Sequence, residues 1–211
     1  MTKKILLLIL GITLFYSCKK KPPQIIETDD YELIIPKNPK AVLILFPGFN
    51  GDAKRIKQES KIPNEAINNH VSVLLFNSFN QHLFLYPDEK DNLGKIILKT
   101  LKTHHLENKK LFLGGFSSGG NVALLIANEI NPKGVFIIDS PIDLADFYFR
   151  CQKKIENNVG EKIIFPKYFY NFFNTNFGNP NEEINVYENY SPYTSLTDYT
   201  YNIDFPIDIS I

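Results

Sequence analysis

The sequence predicts an α/β fold, in which a mostly parallel sheet carries helices on both of its faces. Two observations predict this class. Short apolar runs without polar alternation recur along the chain, and strands that are buried on both faces have this composition. Stretches with helical character separate these runs, and repeated strand–helix units of this length build parallel sheets. At 211 residues, the chain is long enough to bury one sizeable core.

Short apolar segments that end at turn-forming or helix-breaking residues are predicted as strands. The clearest is 41–46, an unbroken apolar run that ends at Pro47-Gly48, a pair of residues that favours a turn. The predicted strands are 31–35, 41–46, 71–76, 111–114, 135–138 and 205–211.

The segments 52–59, 88–103, 118–130 and 143–157 are predicted as helices. In the second of these, the apolar residues recur at the spacing of one helix face. They are Leu93, Ile96, Ile97 and Leu101. The third is apolar nearly all round and stops at Asn131-Pro132, so we expect it to be buried.

The segment from about 141 to 200 departs from this alternation, because it is rich in aromatic residues and asparagine. Its most aromatic stretch is 168–173, Tyr-Phe-Tyr-Asn-Phe-Phe. We interpret the segment as a helical insertion over the carboxyl edge of the sheet. A pair of helices packed into the main core is the alternative, and the sequence does not separate the two.

The N-terminus carries a targeting pattern. A basic start is followed by the apolar run 5–16, which is too short to span a membrane, and Ser17 then precedes Cys18. This pattern resembles a bacterial lipoprotein signal, which is cleaved before Cys18 so that the thiol receives lipid. An ordinary signal peptide with an incidental cysteine is the alternative.

The resulting division of the chain has three parts. We expect a lipoprotein signal peptide over 1–17, a flexible lipidated tether over 18–30 and the folded α/β domain over 31–211. The protein is then expected at the bacterial cell envelope, held at a membrane by its lipid on the periplasmic or cell-surface side.

The composition narrows the classes of partner. Lys and Arg together equal Asp and Glu at 23 each, so no basic surplus favours nucleic acid. The two cysteines, Cys18 and Cys151, give no disulfide framework, and Cys151 is expected to be a passive thiol. No metal-ligand spacing is present, so no metal or other cofactor is predicted. The oligomeric state is not readable from the sequence.

Residues 114–120, Gly-Gly-Phe-Ser-Ser-Gly-Gly, carry the strongest chemical signal. Gly115, Ser117 and Gly119 match the G-x-S-x-G pattern of a nucleophile elbow. The match lies between a predicted strand and a predicted helix, which is the context that this motif requires. An elbow holds its serine on a tight, strained turn, so side chains two residues before and after it would collide with neighbouring elements.

Two nucleotide-binding interpretations of this glycine-rich segment fit the sequence poorly. A phosphate-binding P-loop requires Gly-Lys followed by Ser or Thr, whereas Gly120 is followed by Asn121. A dinucleotide-binding loop requires glycine where Phe116 stands. A glycine-rich turn without chemistry stays open as a purely structural alternative.

Together with the segments around it, the elbow resembles that of the α/β-hydrolase superfamily, in particular its serine esterase and prolyl-oligopeptidase-like branches. Phe46-Pro47-Gly48-Phe49 follows an early strand, where the family has its oxyanion loop. One strand and one long helix separate that loop from the elbow, as the family requires. Tyr190-Ser191-Pro192-Tyr193 precedes the last predicted strand, which is similar to those two branches. The resemblance covers residues 31–211.

This resemblance implies a serine hydrolase that cleaves an ester or related acyl bond of a small-molecule substrate. Ser117 would be the nucleophile and would carry the acyl-enzyme. The oxyanion would be bound by the N–H of Ser118 and, from the loop after the early strand, by the N–H of Phe49. Gly115 and Gly119 would be the glycines of the elbow.

The base that should activate Ser117 is missing from its usual place. The family's chain order is serine, acid, histidine, but His70, His82, His104 and His105 all precede Ser117. Of these, His82 alone is expected at the carboxyl edge of the sheet. We therefore expect the catalytic acid and histidine beyond residue 211, which leaves the predicted fold incomplete at its C-terminal end. The alternative is a catalytically weak or inactive chain that serves as a binding module.

Two aspartates follow the strand after the elbow helix. Asp139 ends that strand, where some family members carry the acid, although a carboxylate that caps the loop beside Pro141 is the favoured interpretation. Asp143 is expected to cap the next helix.

Overall fold

A mixed sheet lies at the centre of the computed structural model, which describes residues 22–77, 89–157, 163–201 and 207–210. The strands in these residues are β1 (Gln24–Glu27), β2 (Tyr31–Ile35), β3 (Ala41–Phe46), β4 (Val71–Phe76), β5 (Lys110–Phe116), β6 (Val135–Ile138), β7 (Tyr193–Thr194), β8 (Tyr199–Thr200) and β9 (Ile207–Ser210). Within the described ranges, the sheet has seven strands in the order β1-β2-β4-β3-β5-β6-β9, and β7 pairs with β8 in a separate ribbon.

The strands from β4 to β9 in this order run parallel, whereas β1 and β2 are antiparallel to their neighbours. The register pairs Phe46, the last residue of β3, with Gly115 in β5. It also pairs Phe116 with Ile138, which are the last residues of β5 and β6. Because parallel strands end at the same edge, the residues that follow β3, β5 and β6 meet at one place, the carboxyl edge of the sheet.

Helices cover both faces of the sheet. In the described residues they are α1 (Ala53–Glu59), α2 (Ile62–Asn68), α3 (Lys90–Thr103), α4 (Ser118–Ile130), α5 (Leu144–Glu156), α6 (Ile164–Asn176) and α7 (Ile184–Tyr190). Successive residues of a strand point to opposite faces. Accordingly, Val42 and Ile44 pack with α3 and α4 on one face, and Leu43 and Leu45 pack with α1 and α2 on the other. The predicted fold class, a mostly parallel sheet with helices on both faces, is confirmed.

Helices α5, α6 and α7, which we call the aromatic insert, have an apolar core of their own. This core shares no buried residue with the two clusters on the sheet. Tyr148, Phe173 and Tyr187 are at most 2 % exposed within it. The rings of Phe173, Phe177 and Tyr187 contact one another with centroids 5.4 to 5.9 Å apart. The insert therefore packs beside the main core and not within it.

Several elements were not predicted from the sequence, among them β1, α2 and the short strands β7 and β8. Residues 24–27, which were assigned to the tether, form the edge strand β1, and the side chain of Ile25 is 55 % exposed there. An edge strand with one half-buried residue leaves little hydrophobic signal. Helix α2 was also not predicted. Pro63 in its first turn is nevertheless compatible with a helix, because the N–H groups of that turn need no partner within the helix.

In the part of the chain that is described, no helix is both long enough and apolar enough to cross a membrane. The expected signal peptide and Cys18 lie outside the described residues, as does His82. Lipidation therefore stays a prediction.

Candidate active site

Ser117 occupies the turn between β5 and α4, at the carboxyl edge of the sheet. Its backbone angles are φ 50° and ψ −125°, a conformation that costs a non-glycine residue about 1–3 kcal/mol. Two hydrogen bonds hold it there. Its N–H donates to the Ile138 carbonyl at 2.9 Å, and its carbonyl accepts from the Gly120 N–H at 3.0 Å. The side chain makes no capping bond to α4 and is exposed, so the hydroxyl is available to a ligand.

The two glycines of the motif leave no room for a side chain. A Cβ atom on Gly115 would overlap the backbone of Gly119 and Gly120. A Cβ atom on Gly119 would overlap the carbonyl oxygens of Phe46 and Pro47, at the end of β3. Backbone atoms cannot swing aside as side chains can, so the turn requires glycine at both positions.

Two backbone amides in the segments that adjoin Ser117, those of Ser118 and Phe49, have no acceptor among the described residues. Ser118 begins α4, and Phe49 belongs to the loop after β3, in which the Gly51 N–H donates to the Gly48 carbonyl at 2.8 Å. That loop approaches closely, because a Cβ on Gly48 would lie 3.2 Å from the Ser117 Cβ. Neither the Ser118 nor the Phe49 N–H has an acceptor among the described residues. The N-terminus of α4 adds partial positive charge at the same point.

Ser117 opens into a cavity of about 290 Å³. The apolar part of its wall includes Phe49, Ile56, Phe116, Phe165 and Phe169. The charged part is an ion pair on α1, in which the Arg55 Nε lies 2.9 Å from a Glu59 carboxylate oxygen. Ser60 also lines the cavity. A space of this size with mostly apolar walls suits a small organic ligand that carries an apolar group.

The three histidines within the described ranges lie away from Ser117. His70 directly precedes β4 and contacts the Lys37 carbonyl through Nδ1 at 3.0 Å. His104 and His105 follow α3 and precede β5. All three are therefore near the amino edge of the sheet, and β5, with seven residues, separates its two ends by about 20 Å. None of these three histidines can reach the Ser117 hydroxyl.

The two aspartates differ in their surroundings. Asp139 follows β6, next to the bond between the Ser117 N–H and the Ile138 carbonyl, and its own φ is 48°. Its side chain is exposed and accepts no hydrogen bond from a described residue, so the expected loop cap is not seen. Asp143 is the N-cap of α5, as predicted. Its carboxylate accepts from the Asp146 N–H at 2.9 Å and from the Ser195 N–H at 2.8 Å.

Residues that the sequence analysis did not single out complete the site. Phe165 and Phe169 of α6 form part of the cavity wall. Asn121, one turn after Ser117, is fully buried and donates from Nδ2 to the carbonyls of Pro141 and Tyr190, at 3.3 and 3.0 Å. One amide thus ties the helix behind Ser117 to both ends of the aromatic insert. An asparagine inside an apolar helix was the available signal for Asn121.

No protein-family model and no curated protein matches this chain, but solved structures do. An esterase of Pyrococcus furiosus aligns with a TM-score of 0.55 and 18 % identity, over 89 % of this chain and 69 % of the esterase. An esterase of Pyrobaculum calidifontis aligns with a TM-score of 0.55 and 12 % identity, over 95 % of this chain and 70 % of the esterase. The protein AbyA5 aligns with a TM-score of 0.52 and 12 % identity, over 96 % of this chain and 59 % of AbyA5. At this level of identity the likeness concerns the fold, and the chain has the α/β-hydrolase fold that its motifs predicted.

Proposed function

We propose that this protein is a serine hydrolase that cleaves an ester or related acyl bond through an acyl-enzyme on Ser117. One arrangement carries the proposal. An exposed serine on a strained strand–helix turn faces a partly apolar cavity, beside two amides that have no acceptor in the described part of the chain. The likeness of the fold to that of two esterases agrees with this proposal.

In the proposed reaction, the Ser117 Oγ attacks the acyl carbonyl carbon while a base takes the hydroxyl proton. The amides of Ser118 and Phe49 bind the negative charge on the carbonyl oxygen, and donors of this kind contribute about 2.7–4 kcal/mol each. The leaving group departs with a proton as the acyl-enzyme forms. Water then attacks the acyl carbonyl, so that the acid is released and the Ser117 hydroxyl is restored.

The base and the acid that orients it are proposed to lie beyond residue 211, in the order serine, acid, histidine. Asp139 is the alternative acid, because it follows the strand beside Ser117 and its carboxylate has no partner among the described residues. Genomic sequence downstream of Ile211 tests this directly. A later loop with an aspartate and a later histidine is the expected finding.

Reaction with a fluorophosphonate probe tests the nucleophile. We expect the full-length protein, with its residues downstream of Ile211, to be labelled at Ser117 and expect Ser117→Ala to abolish the labelling. Ser60→Ala is the matched control, since it removes a second hydroxyl from the same cavity and should leave the labelling intact. A folded chain that is not labelled, with its downstream residues present, would refute the proposal.

A binding module is the second candidate function. It is favoured by the position of the three described histidines, which lie at the opposite edge of the sheet from Ser117. It predicts that ligand affinity is unchanged in Ser117→Ala and that the probe does not react.

We further propose that Cys18 is lipidated and holds the domain at a bacterial membrane. Incorporation of a clickable palmitate analogue in a bacterial host is the test. Cys18→Ala should abolish incorporation, and Cys151→Ala should not, since Cys151 is buried.

A further inference from the structure

We propose that a groove between α5 and α6 is a subsite for an anionic group, and that its ligands are anionic amphiphiles whose apolar part extends toward Ser117. The groove has a volume of about 140 Å³. Its walls include the rings of Phe147, Phe165 and Phe169 and the cations Arg150 and Lys154. The second half of the inference rests on the proposed function, since it names the class of substrate that Ser117 would meet.

Among the described residues, the charged side chains that line the groove are Arg150 and Lys154, which are both positive. The Arg150 Nε lies 2.8 Å from an Asp146 carboxylate oxygen in an ion pair on the same helix, and the two terminal amino groups of the guanidinium have no acceptor in the described residues. Lys154 forms no ion pair with a described residue. A guanidinium with both terminal groups free matches the geometry of a carboxylate or phosphate.

Cys151, the other ionisable side chain in the described lining of the groove, adds no negative charge beside these cations. Burial raises the pKa of the Cys151 thiol to about 11, against the opposing effect of Lys154 and Arg150. The sulfur is therefore neutral at pH 7. Arg150 and Lys154 keep their positive charge for a ligand that comes from solution.

The groove and the Ser117 cavity share a wall, because Phe165 and Phe169 line both spaces. Phe165 is 70 % exposed, and Ile164 beside it is 68 % exposed. An apolar chain laid across these rings would remove that surface from water. A ligand held by its anionic end in the groove could thus direct its apolar part into the cavity, where the bond to be cleaved would meet Ser117.

Charge balance explains why the anion belongs in the groove and not beside Ser117. In the Ser117 cavity, Arg55 is paired with Glu59 at 2.9 Å, so a negative group there would meet one charge of each sign. In the groove, Arg150 has a comparable ion pair with Asp146 at 2.8 Å, but the described lining also holds Lys154, which forms no ion pair with a described residue, so one positive charge remains uncompensated there. An anionic amphiphile is therefore expected to bind in one orientation.

The test uses the full-length protein with the Ser117→Ala substitution, so that no turnover occurs during the measurement. Three ligands that each carry an eight-carbon chain are compared: octanoate, octanol and octyltrimethylammonium. Dissociation constants are measured by ligand-observed NMR below the micellar concentrations. We expect octanoate to bind about fivefold or more tightly than octyltrimethylammonium, as two exposed charge contacts allow. Octyl phosphate in a fourth titration identifies which anion the groove prefers.

Matched variants locate the effect. The double variant with Arg150→Gln and Lys154→Gln should lose the preference for octanoate, while its affinity for octanol should stay unchanged. Lys99→Gln with Lys102→Gln removes the same charge from exposed positions on α3 and should keep the preference. Phe165→Ser should weaken the binding of all three ligands. Leu196→Ser, at a position that is 53 % exposed, should weaken the binding of none of them.

Equal affinity for the three ligands, or a preference that survives the Arg150 and Lys154 substitutions, would overturn the subsite. This outcome is separable from failure of the proposed function, because binding requires no reaction at Ser117. A chain that reacts with the fluorophosphonate but shows no anion preference keeps its function and loses the subsite. A chain that prefers octanoate but never reacts keeps the subsite as part of a binding module.

Discussion

The ring of Phe49 lies against the ring of Tyr168, with centroids 5.4 Å apart and planes inclined by 33°. Phe169 contacts the same phenyl ring at 6.1 Å. Phe49 belongs to the loop that approaches Ser117, whereas Tyr168 and Phe169 belong to α6 of the aromatic insert. The position of a candidate oxyanion donor is therefore coupled to the helix that forms part of the cavity wall.

Replacing Phe49 by alanine tests this coupling. The amide is retained, but the ring contacts that hold the loop are lost, so we expect a several-fold slower reaction of Ser117 with a fluorophosphonate. We also expect a loss of about 2 kcal/mol in the free energy of unfolding, since the ring is partly buried. Phe112→Ala is the control, because Phe112 is 37 % exposed on β5 and should affect stability alone. An unchanged labelling rate in Phe49→Ala would show that the loop is held by other contacts.

Alanine at Gly119 is expected to be severely destabilising. The new methyl group would overlap the Phe46 and Pro47 carbonyl oxygens, and β3 would have to move away from the elbow. Gly94→Ala is the matched control, since a Cβ there would lie 3.0 Å from the Glu129 Cβ, a tight contact without overlap, within a helix that gains about 0.5–1 kcal/mol from alanine. Urea denaturation should show a large shift for Gly119→Ala and a small one for Gly94→Ala. Equal shifts would contradict the steric argument.

Asn121→Ala should loosen the connection between α4 and the aromatic insert. It removes one hydrogen bond to the Pro141 carbonyl and one to the Tyr190 carbonyl, and each lost hydrogen bond of this kind costs about 0.5–1.5 kcal/mol. The Asn121 Oδ1 is itself buried without a donor in the described residues. Asn121→Asp should destabilise the fold more than Asn121→Ala, since it would place a carboxylate against two carbonyl oxygens.

Hydrogen exchange at the amides around residues 141 and 190 is the measurement for Asn121. Faster exchange is expected there in Asn121→Ala. Asn64→Ala, at an exposed position of α2, should leave the exchange unchanged. Exchange that stays at the wild-type rate in Asn121→Ala would mean that the aromatic core alone positions the insert.

The stability of the insert should depend on alkaline pH through Tyr148. Burial raises the pKa of its hydroxyl to about 12, and Tyr170 contributes in the same direction. In the unfolded chain this pKa is about 10. Between these values the unfolded chain binds fewer protons than the folded one, so stability falls as the pH rises through this range.

Urea denaturation at a series of pH values measures this dependence. The loss should begin near pH 10 and should be smaller in Tyr148→Phe, whose ring cannot ionise. Tyr168→Phe, at a side chain that is 46 % exposed, is the control. A loss of the same size in Tyr148→Phe would assign the dependence to other groups.

The central sheet was predictable because its strands bury both faces. Ala41–Phe46, for example, has six buried residues in a row, and its predicted bounds are those observed. Edge elements carry less of this signal. Gln24–Glu27 joins the sheet mainly through backbone hydrogen bonds to β2, which any residue but proline can make, so its composition gave no indication of a strand.

The elbow was predictable for a different reason, since its geometry demands particular residues at particular positions. Gly115 and Gly119 can have no side chain, and this requirement is visible in the sequence. The wall of the cavity was not predictable. Phe165 and Phe169 reach the cavity only through the packing of α6 against Phe49, and such tertiary contacts leave no local pattern.

The aromatic insert shares no buried residue with the clusters on the sheet, and this separation has a consequence for how ligand selectivity can change. Exchanging one ring of α6 for another alters the shape of the binding space, while the strands that hold the serine keep their own packing. Natural variation or directed evolution can therefore explore new specificities here at modest risk to folding. Comparable substitutions within β3 or β5 would destabilise the central sheet.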